Sequence, residues 1–241
     1  MKKFLFYIAT LSTVLTACDS DYIDPYKIKE VKKISTQNAN DDQAIDKFLN
    51  EHYLDAQGKI KAFLEADTSD DQNTKLADLA PQKLPSGVVV IVRPGAQPDN
   101  GKTIGETDVI KIMQTTYGYL SDDDKEIYLH SPYPFVNTVD GAGTPDQDPA
   151  YYYTKNSVLT SSDKERSYYE MEGFQEGLKH FKSFSLNDED IYNLQGVIIV
   201  PSRAAYARDS HYPYQGISWR NRTFVFNFQI YNTRAREASE N

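Results

Sequence analysis

Apolar positions fall along this chain in blocks of different period, and each period predicts a different kind of structure. Phe4 to Leu15 is a mostly apolar run behind Lys2 and Lys3. Residues 19–40 carry no apolar periodicity and are expected to form a flexible tether. Ile45, Phe48, Leu49 and His52 then recur at helical spacing, which predicts a helix opened by Asp41 or Asp42 and closing near Tyr53. Between residues 54 and 83 only a turn at Gly58 and a polar stretch stand out. VVVIVR (88–93), ended by Pro94-Gly95, reads as a strand, and so does DVIKIMQTTYGYL (108–120). A short helix is expected within MEGFQEGLKHF (171–181), with Phe174, Leu178 and Phe181 as its buried stripe. GVIIVPSRAAYA (196–207) is an apolar strand running into a turn of small residues. RTFVFNFQIYN (222–232) alternates, so Phe224, Phe226, Phe228 and Ile230 share one face and Asn227 points the other way.

The first block is too short to cross a bilayer, which takes about 20 apolar residues. Its charged, apolar and small-residue regions predict a secretory signal over residues 1–17. The small residues before Cys18, the only cysteine, resemble a bacterial lipobox, in which that thiol receives a diacylglyceryl group and becomes the mature N-terminus. Acyl chains anchor a protein to a membrane without a spanning helix, each buried methylene contributing about 0.8 kcal/mol. With Cys18 lipidated no thiol is left for a disulfide, so apolar burial has to hold the mature domain together. The location expected is the cell envelope, on the periplasmic or the surface side. Asp19, Asp21 and Asp24 serve equally well as a solvated tether or as an export signal, which leaves the leaflet open. Losing Lys2 and Lys3 with the signal takes the formal charge from −9 to about −11. An acidic body without clustered Lys and Arg excludes nucleic acid as a partner.

Residues 121–168 hold turn signals (SPYPF, 131–135; DGAGTPDQDP, 140–149) and the run Tyr151-Tyr152-Tyr153, where YYYTKNSVLT offers an added strand. A stretch this long between strands is usually functional or mobile.

The order short helix, apolar strand with Pro-Ser turn, and aromatic strand resembles the C-terminal half of the FKBP-type peptidyl-prolyl isomerases. SG-strand-PG followed by a strand ending in GYL resembles the first half, so the likeness spans about 84–232, with 121–168 as an insertion. It implies an α+β fold: an antiparallel half-barrel sheet wrapped around one short helix, here with a helical extension over 41–83 and a polar tail over 233–241. It further implies a proline pocket. Phe174 stands where the family has its aromatic floor, Phe226 is a wall, Tyr206 a hydroxyl donor, and the Met171 amide the anchor for the peptide carbonyl. His211 matches a loop histidine of the family. The family's Tyr-x-Gly-x-Leu strand falls on Thr116-Tyr117-Gly118-Tyr119-Leu120, which puts threonine at the pocket tyrosine unless a bulge turns Tyr117 inward. The family's Phe-Asp pair is absent, although Phe135 could supply the ring, and its Ile-Pro-Pro turn is replaced by Gly216-Ile217-Ser218-Trp219.

Such a pocket works without metal or cofactor. The barrier to X-Pro rotation is about 18–20 kcal/mol, and a dry aromatic cup with one donor favours the twisted amide. The expected activity is therefore cis-trans isomerisation in exported, proline-containing polypeptides, with a non-catalytic binding module in an envelope complex as the alternative. A glycan-binding surface built from the chain's 18 tyrosines is a third reading. Gly95 and Gly101-Lys102-Thr103 miss phosphate-loop spacing, and the four histidines lack zinc spacing.

Overall fold

The computed structural model describes residues 32–122 and 125–241, and Lys33–Asn241 form one compact unit. The signal peptide and Cys18 lie outside the described residues. The fold is mixed α/β with few helices: α1 (Ile34–Glu51), α2 (Asn156–Ser162) and α3 (Glu172–Leu178). Among these residues no helix is long and apolar enough to cross a membrane.

Helix α1 starts seven residues before Asp41, inside the stretch expected to be a tether, and neither Asp41 nor Asp42 caps it. Its first turns bury polar side chains, which is why apolar periodicity missed them. Gln37 donates to Ser121 Oγ at 2.9 Å, Asn40 to Asp122 at 2.6 Å, and the Asp41 carboxylate accepts from Gln37 at 2.8 Å and from the Ser202 N–H at 3.0 Å. Ala44, Ile45, Phe48 and Leu49 continue the same buried face.

Strands β1 (His52–Leu54) and β2 (Ile60–Ala62) form a hairpin whose turn carries Gly58 at φ 81°, a left-handed conformation that suits glycine. The main sheet contains β3 (Gln82–Lys83), β4 (Val89–Val92), β6 (Val109–Asp122), β7 (Ile127–Asn137), β10 (Gly196–Val200) and β11 (Thr223–Arg234). Its order is β3-β4-β10-β11-β6-β7, with β8 (Asp146–Gln147) also paired to β6, and every pairing is antiparallel. β5 (Lys102–Thr103) and β9 (Lys182–Ser183) pair separately.

Alternation gives the sheet two buried faces. Phe224, Phe226, Phe228 and Ile230, with Ile198, Val200 and Ile112, join the core that includes α3, whereas Val225, Val197, Ile199, Val89 and Ile91 pack with Ile45, Phe48 and Leu49 of α1. The extension thus roofs the second face of the sheet. Helix α3 lies close against β10 because of its glycines: a Cβ on Gly177 would stand 2.7 Å from Ile198 Cγ2, and one on Gly173 2.6 Å from Val200 Cγ1.

The described part of the insertion takes a form that its sequence did not suggest. β7 pairs with β6 through several register shifts and forms the sheet's edge, where Pro132 and Pro134, which have no N–H to offer, are tolerated. A five-residue π-helical turn, Thr138–Ala142, follows it. YYYTKNSVLT is not a strand: the Tyr152 and Tyr153 amides both bond the Pro149 carbonyl, a turn that buries all three tyrosines, and Asn156 onward is α2. An alternating strand would have turned one of the three rings outward. Nor is the tail a bare polar end, since β11 runs to Arg234 and Asn241 accepts from the Tyr153 hydroxyl at 2.8 Å.

Candidate functional site

Three separated parts of the chain converge beneath the sheet. Phe174 and Phe226 stack with ring centroids 4.3 Å apart, Tyr206 meets Phe224 edge-on at 6.0 Å, and Met171 is fully buried in the same cluster. The residues singled out from the tail thus share one apolar cluster. The hollow between them, however, is filled by other side chains of the protein.

Phe135 of β7 lies 5.1 Å from Trp219, 5.2 Å from Phe224 and 5.1 Å from Tyr151, while Tyr151 in turn reaches Phe174 at 5.7 Å and Phe226 at 6.1 Å. Phe135, Tyr151 and Trp219 are all 3% exposed or less. The polar groups are engaged as well. The Met171 N–H donates to the Tyr151 carbonyl at 2.8 Å, so the expected peptide anchor is taken by the chain itself. The Tyr206 hydroxyl donates to the Tyr169 carbonyl at 2.8 Å, and Tyr214 donates to the same oxygen at 3.1 Å. Gln114 donates to the Tyr151 hydroxyl and accepts from Thr116. Burial pushes the phenols of Tyr206, Tyr151 and Tyr214 well above their ordinary range.

His211 is buried and stacks on Tyr206 at 4.6 Å. Its Nε2 accepts the Trp219 N–H at 2.8 Å, which puts the proton on Nδ1, 2.9 Å from the Asp209 carbonyl. The ring thereby fixes the turn that delivers Trp219, and both nitrogens are used. Tyr117 is not in this cluster. The β11–β6 register runs unbroken from Thr223/Tyr119 to Ile230/Ile112, so no bulge turns Tyr117 inward. Thr116, opposite Phe226, holds the inner position, and Tyr117, opposite Val225, faces the α1 side. Sequence reasoning missed Tyr151, Tyr214 and Trp219. The only signals for them were a tyrosine run in a turn-rich stretch and a lone tryptophan before the last strand.

Two open cavities flank the filled centre. One, about 300 Å³, lies beside α3 between Tyr152, Ile104 and Leu178, with the Glu106–Lys179 ion pair (2.7 Å) at its rim. Glu170 there accepts from the Thr154 N–H at 2.7 Å, from Arg166 at 2.8 Å and from Gln175 at 2.9 Å. The other, about 340 Å³, is on the opposite face of the sheet and includes Tyr117. Among the described residues no group of three or more His, Cys, Asp or Glu is placed to hold a metal ion.

No family model and no curated protein matches the chain. Solved structures similar to it include FkpA from Escherichia coli, at 18% identity and a TM-score of 0.36 over 64% of this chain and 52% of that one. The chain spans about half the length of that structure. The N-terminal domain of FKBP42 from Arabidopsis thaliana matches at 9% identity and a TM-score of 0.39, over 73% of this chain and 99% of that one. A DUF4827 family protein from Parabacteroides distasonis matches at 15% identity and a TM-score of 0.40, over 83% of this chain and 98% of that one. At these TM-scores none of the three likenesses bears on activity.

Proposed function

We propose that this chain is a lipid-anchored envelope protein whose FKBP-like domain binds a protein partner without isomerising X-Pro bonds. The observation that carries the reading is the occupancy of two donors. A peptidyl-prolyl substrate would need the Met171 N–H and the Tyr206 hydroxyl, and both are already given to carbonyls of the protein itself.

Energetics favour permanent closure over a gate. Burying one large apolar side chain is worth about 1.5–3 kcal/mol, and each aromatic pair adds about 0.5–1.5 kcal/mol. Expelling Phe135, Tyr151 and Trp219 together would cost an amount comparable with the whole stability of a domain, about 5–15 kcal/mol. The surface outside the filled pocket suits a protein partner. Tyr214, 6.4 Å from Tyr206, packs at 4.8 Å against Tyr212, which is 44% exposed and also lies 5.3 Å from Tyr169. Clustered tyrosines of this kind are enriched at protein interfaces.

Exchange spectroscopy on X-Pro peptides with several residues before proline tests the reading. The expected cis-trans exchange rate is the same with and without the protein. An acceleration that Phe174→Ala abolishes would restore the isomerase assignment. In the producing cell, metabolic fatty-acid labelling is expected on the native chain and lost in Cys18→Ala; label retained by that variant removes the anchor.

A further inference from the structure

The sheet's second face is only partly roofed. Helix α1 lies over β7 and one end of β6, and the β1–β2 hairpin stands over part of β11, which leaves a cleft of about 340 Å³ between them above the middle of β6. That volume lies within the range of small-ligand sites, roughly 300–1,000 Å³. Its floor is Thr115, Tyr117 and Val225, and its walls are Phe48 from the end of α1, His52 from the start of β1 and Lys61 from β2.

The cleft is braced by hydrogen bonds among its own walls. Asn227 accepts from the Ile60 N–H at 3.0 Å and donates to the carbonyls of Gly58 at 2.9 Å and Gly196 at 3.2 Å, which pins the hairpin wall to the sheet. Lys59 bonds Asp140 at 2.7 Å, tying that wall to the π-helical turn. Such turns are rare and recur at functional sites.

What the cleft could hold follows from its lining. Tyr117 and Tyr119 present two half-buried rings with centroids 6.4 Å apart at 58°, and Phe48 and His52 stack at 3.8 Å beside them. The lining also carries a hydroxyl, an ammonium and a carboxylate (Thr115, Lys61 and Asp140). Lys59 and Asp140 offset each other, and burial keeps His52 below its ordinary pKa, which leaves the exposed Lys61 as the single unbalanced charge of the lining. An uncharged ligand with apolar ring faces and a rim of hydroxyls matches this pattern: its C–H faces lie on the tyrosines and its hydroxyls reach the polar groups of the lining. Asp140 is the one carboxylate among the lining residues. Glycoside hydrolysis ordinarily takes a pair, so the chemistry here is binding without cleavage.

We propose that the cleft between α1, the β1–β2 hairpin and β6 binds one or two pyranose rings of a neutral saccharide, with Tyr117 as the stacking platform. The inference does not depend on the reading of the filled pocket, which lies on the other face. It is tested on the full chain by titrating cellobiose, maltose and N,N′-diacetylchitobiose while following amide shifts. At least one of the three is expected to shift the Thr115 and Asn227 signals saturably. Tyr117→Ala is expected to weaken that binding at least tenfold and Lys61→Ala about threefold, while Ile191→Ala, at an exposed site outside the cleft, leaves it unchanged. Because Lys61 is exposed, its variant keeps the test valid if the tyrosine variant unfolds. The proposal is overturned if none of the three sugars shifts the cleft signals, if the shifts fall elsewhere, or if folded variants of both residues bind as the native chain does.

Discussion

Asp41 shows how a single side chain can serve a different purpose from the one its surroundings in sequence suggest. Placed before an apolar periodic run it reads as a helix cap, yet it sits inside α1, fully buried, and accepts from the Ser202 backbone N–H at 3.0 Å as well as from the Ser202 hydroxyl. It therefore ties the turn after β10, which carries Tyr206, to the opposite layer of the fold. Removing it strands a buried N–H and a buried hydroxyl, each costing about 1–3 kcal/mol. Asp41→Ala is expected to lower unfolding free energy by about 2–4 kcal/mol, read from urea midpoints at constant m-value. A loss below about 0.5 kcal/mol would show that water replaces the carboxylate.

The same lesson separates the segments that sequence reading found from those it did not. Strand β11 was legible because Phe224, Phe226, Phe228 and Ile230 alternate without interruption, and α3 because its buried positions keep helical spacing. The start of α1 was not legible, since Gln37, Asn40 and Asp41 form an inner face joined by hydrogen bonds to residues more than 80 positions away. Tyr151-Tyr152-Tyr153 misled for a related reason. Their β propensity yielded to a tight turn that buries all three rings. For the candidate site, the convergence of Phe174, Tyr206 and Phe226 was legible through the family resemblance. The side chains that fill the space between them come from the insertion and from a turn unlike the family's, so of these the resemblance pointed only to Phe135 and gave no sign of Tyr151 or Trp219. The two short helices should respond differently to substitution. Gly177→Ala in α3 forces a methyl against Ile198 and is expected to cost about 1–3 kcal/mol. Val158→Gly in α2, which buries no residue, should cost no more than about 1 kcal/mol. Thermal melts of the two variants decide the matter; equal losses would mean that α3 does not lie flush on β10.

Seen as one body, the protein is held by buried phenols to an unusual degree, and this sets its response to alkali. Burial pushes Tyr119 and Tyr231 up to about 12 from an ordinary 10.0, and it moves Tyr151, Tyr152, Tyr206 and Tyr214 further in the same direction. The folded state keeps protons that the unfolded chain releases near pH 10. The stabilisation tied to these groups is therefore complete below about pH 10 and is lost as pH climbs toward 12 and beyond. Urea midpoints are expected to hold up to about pH 9.5 and then fall steeply, in step with tyrosine ionisation measured by ultraviolet absorbance. A midpoint that stays constant to about pH 11.5 would contradict the buried setting of these rings.

The two prolines of the outermost strand bear on how this protein can be approached by others. Pro132 and Pro134 interrupt the row of amide donors that a free strand would otherwise offer, and the Ser131 backbone before them turns to a positive φ of 49°. A foreign segment pairing along that stretch would meet two missing donors, which disfavours strand donation from a partner and edge-to-edge stacking of copies there. Recognition along that margin is thereby shifted from main-chain pairing toward side chains.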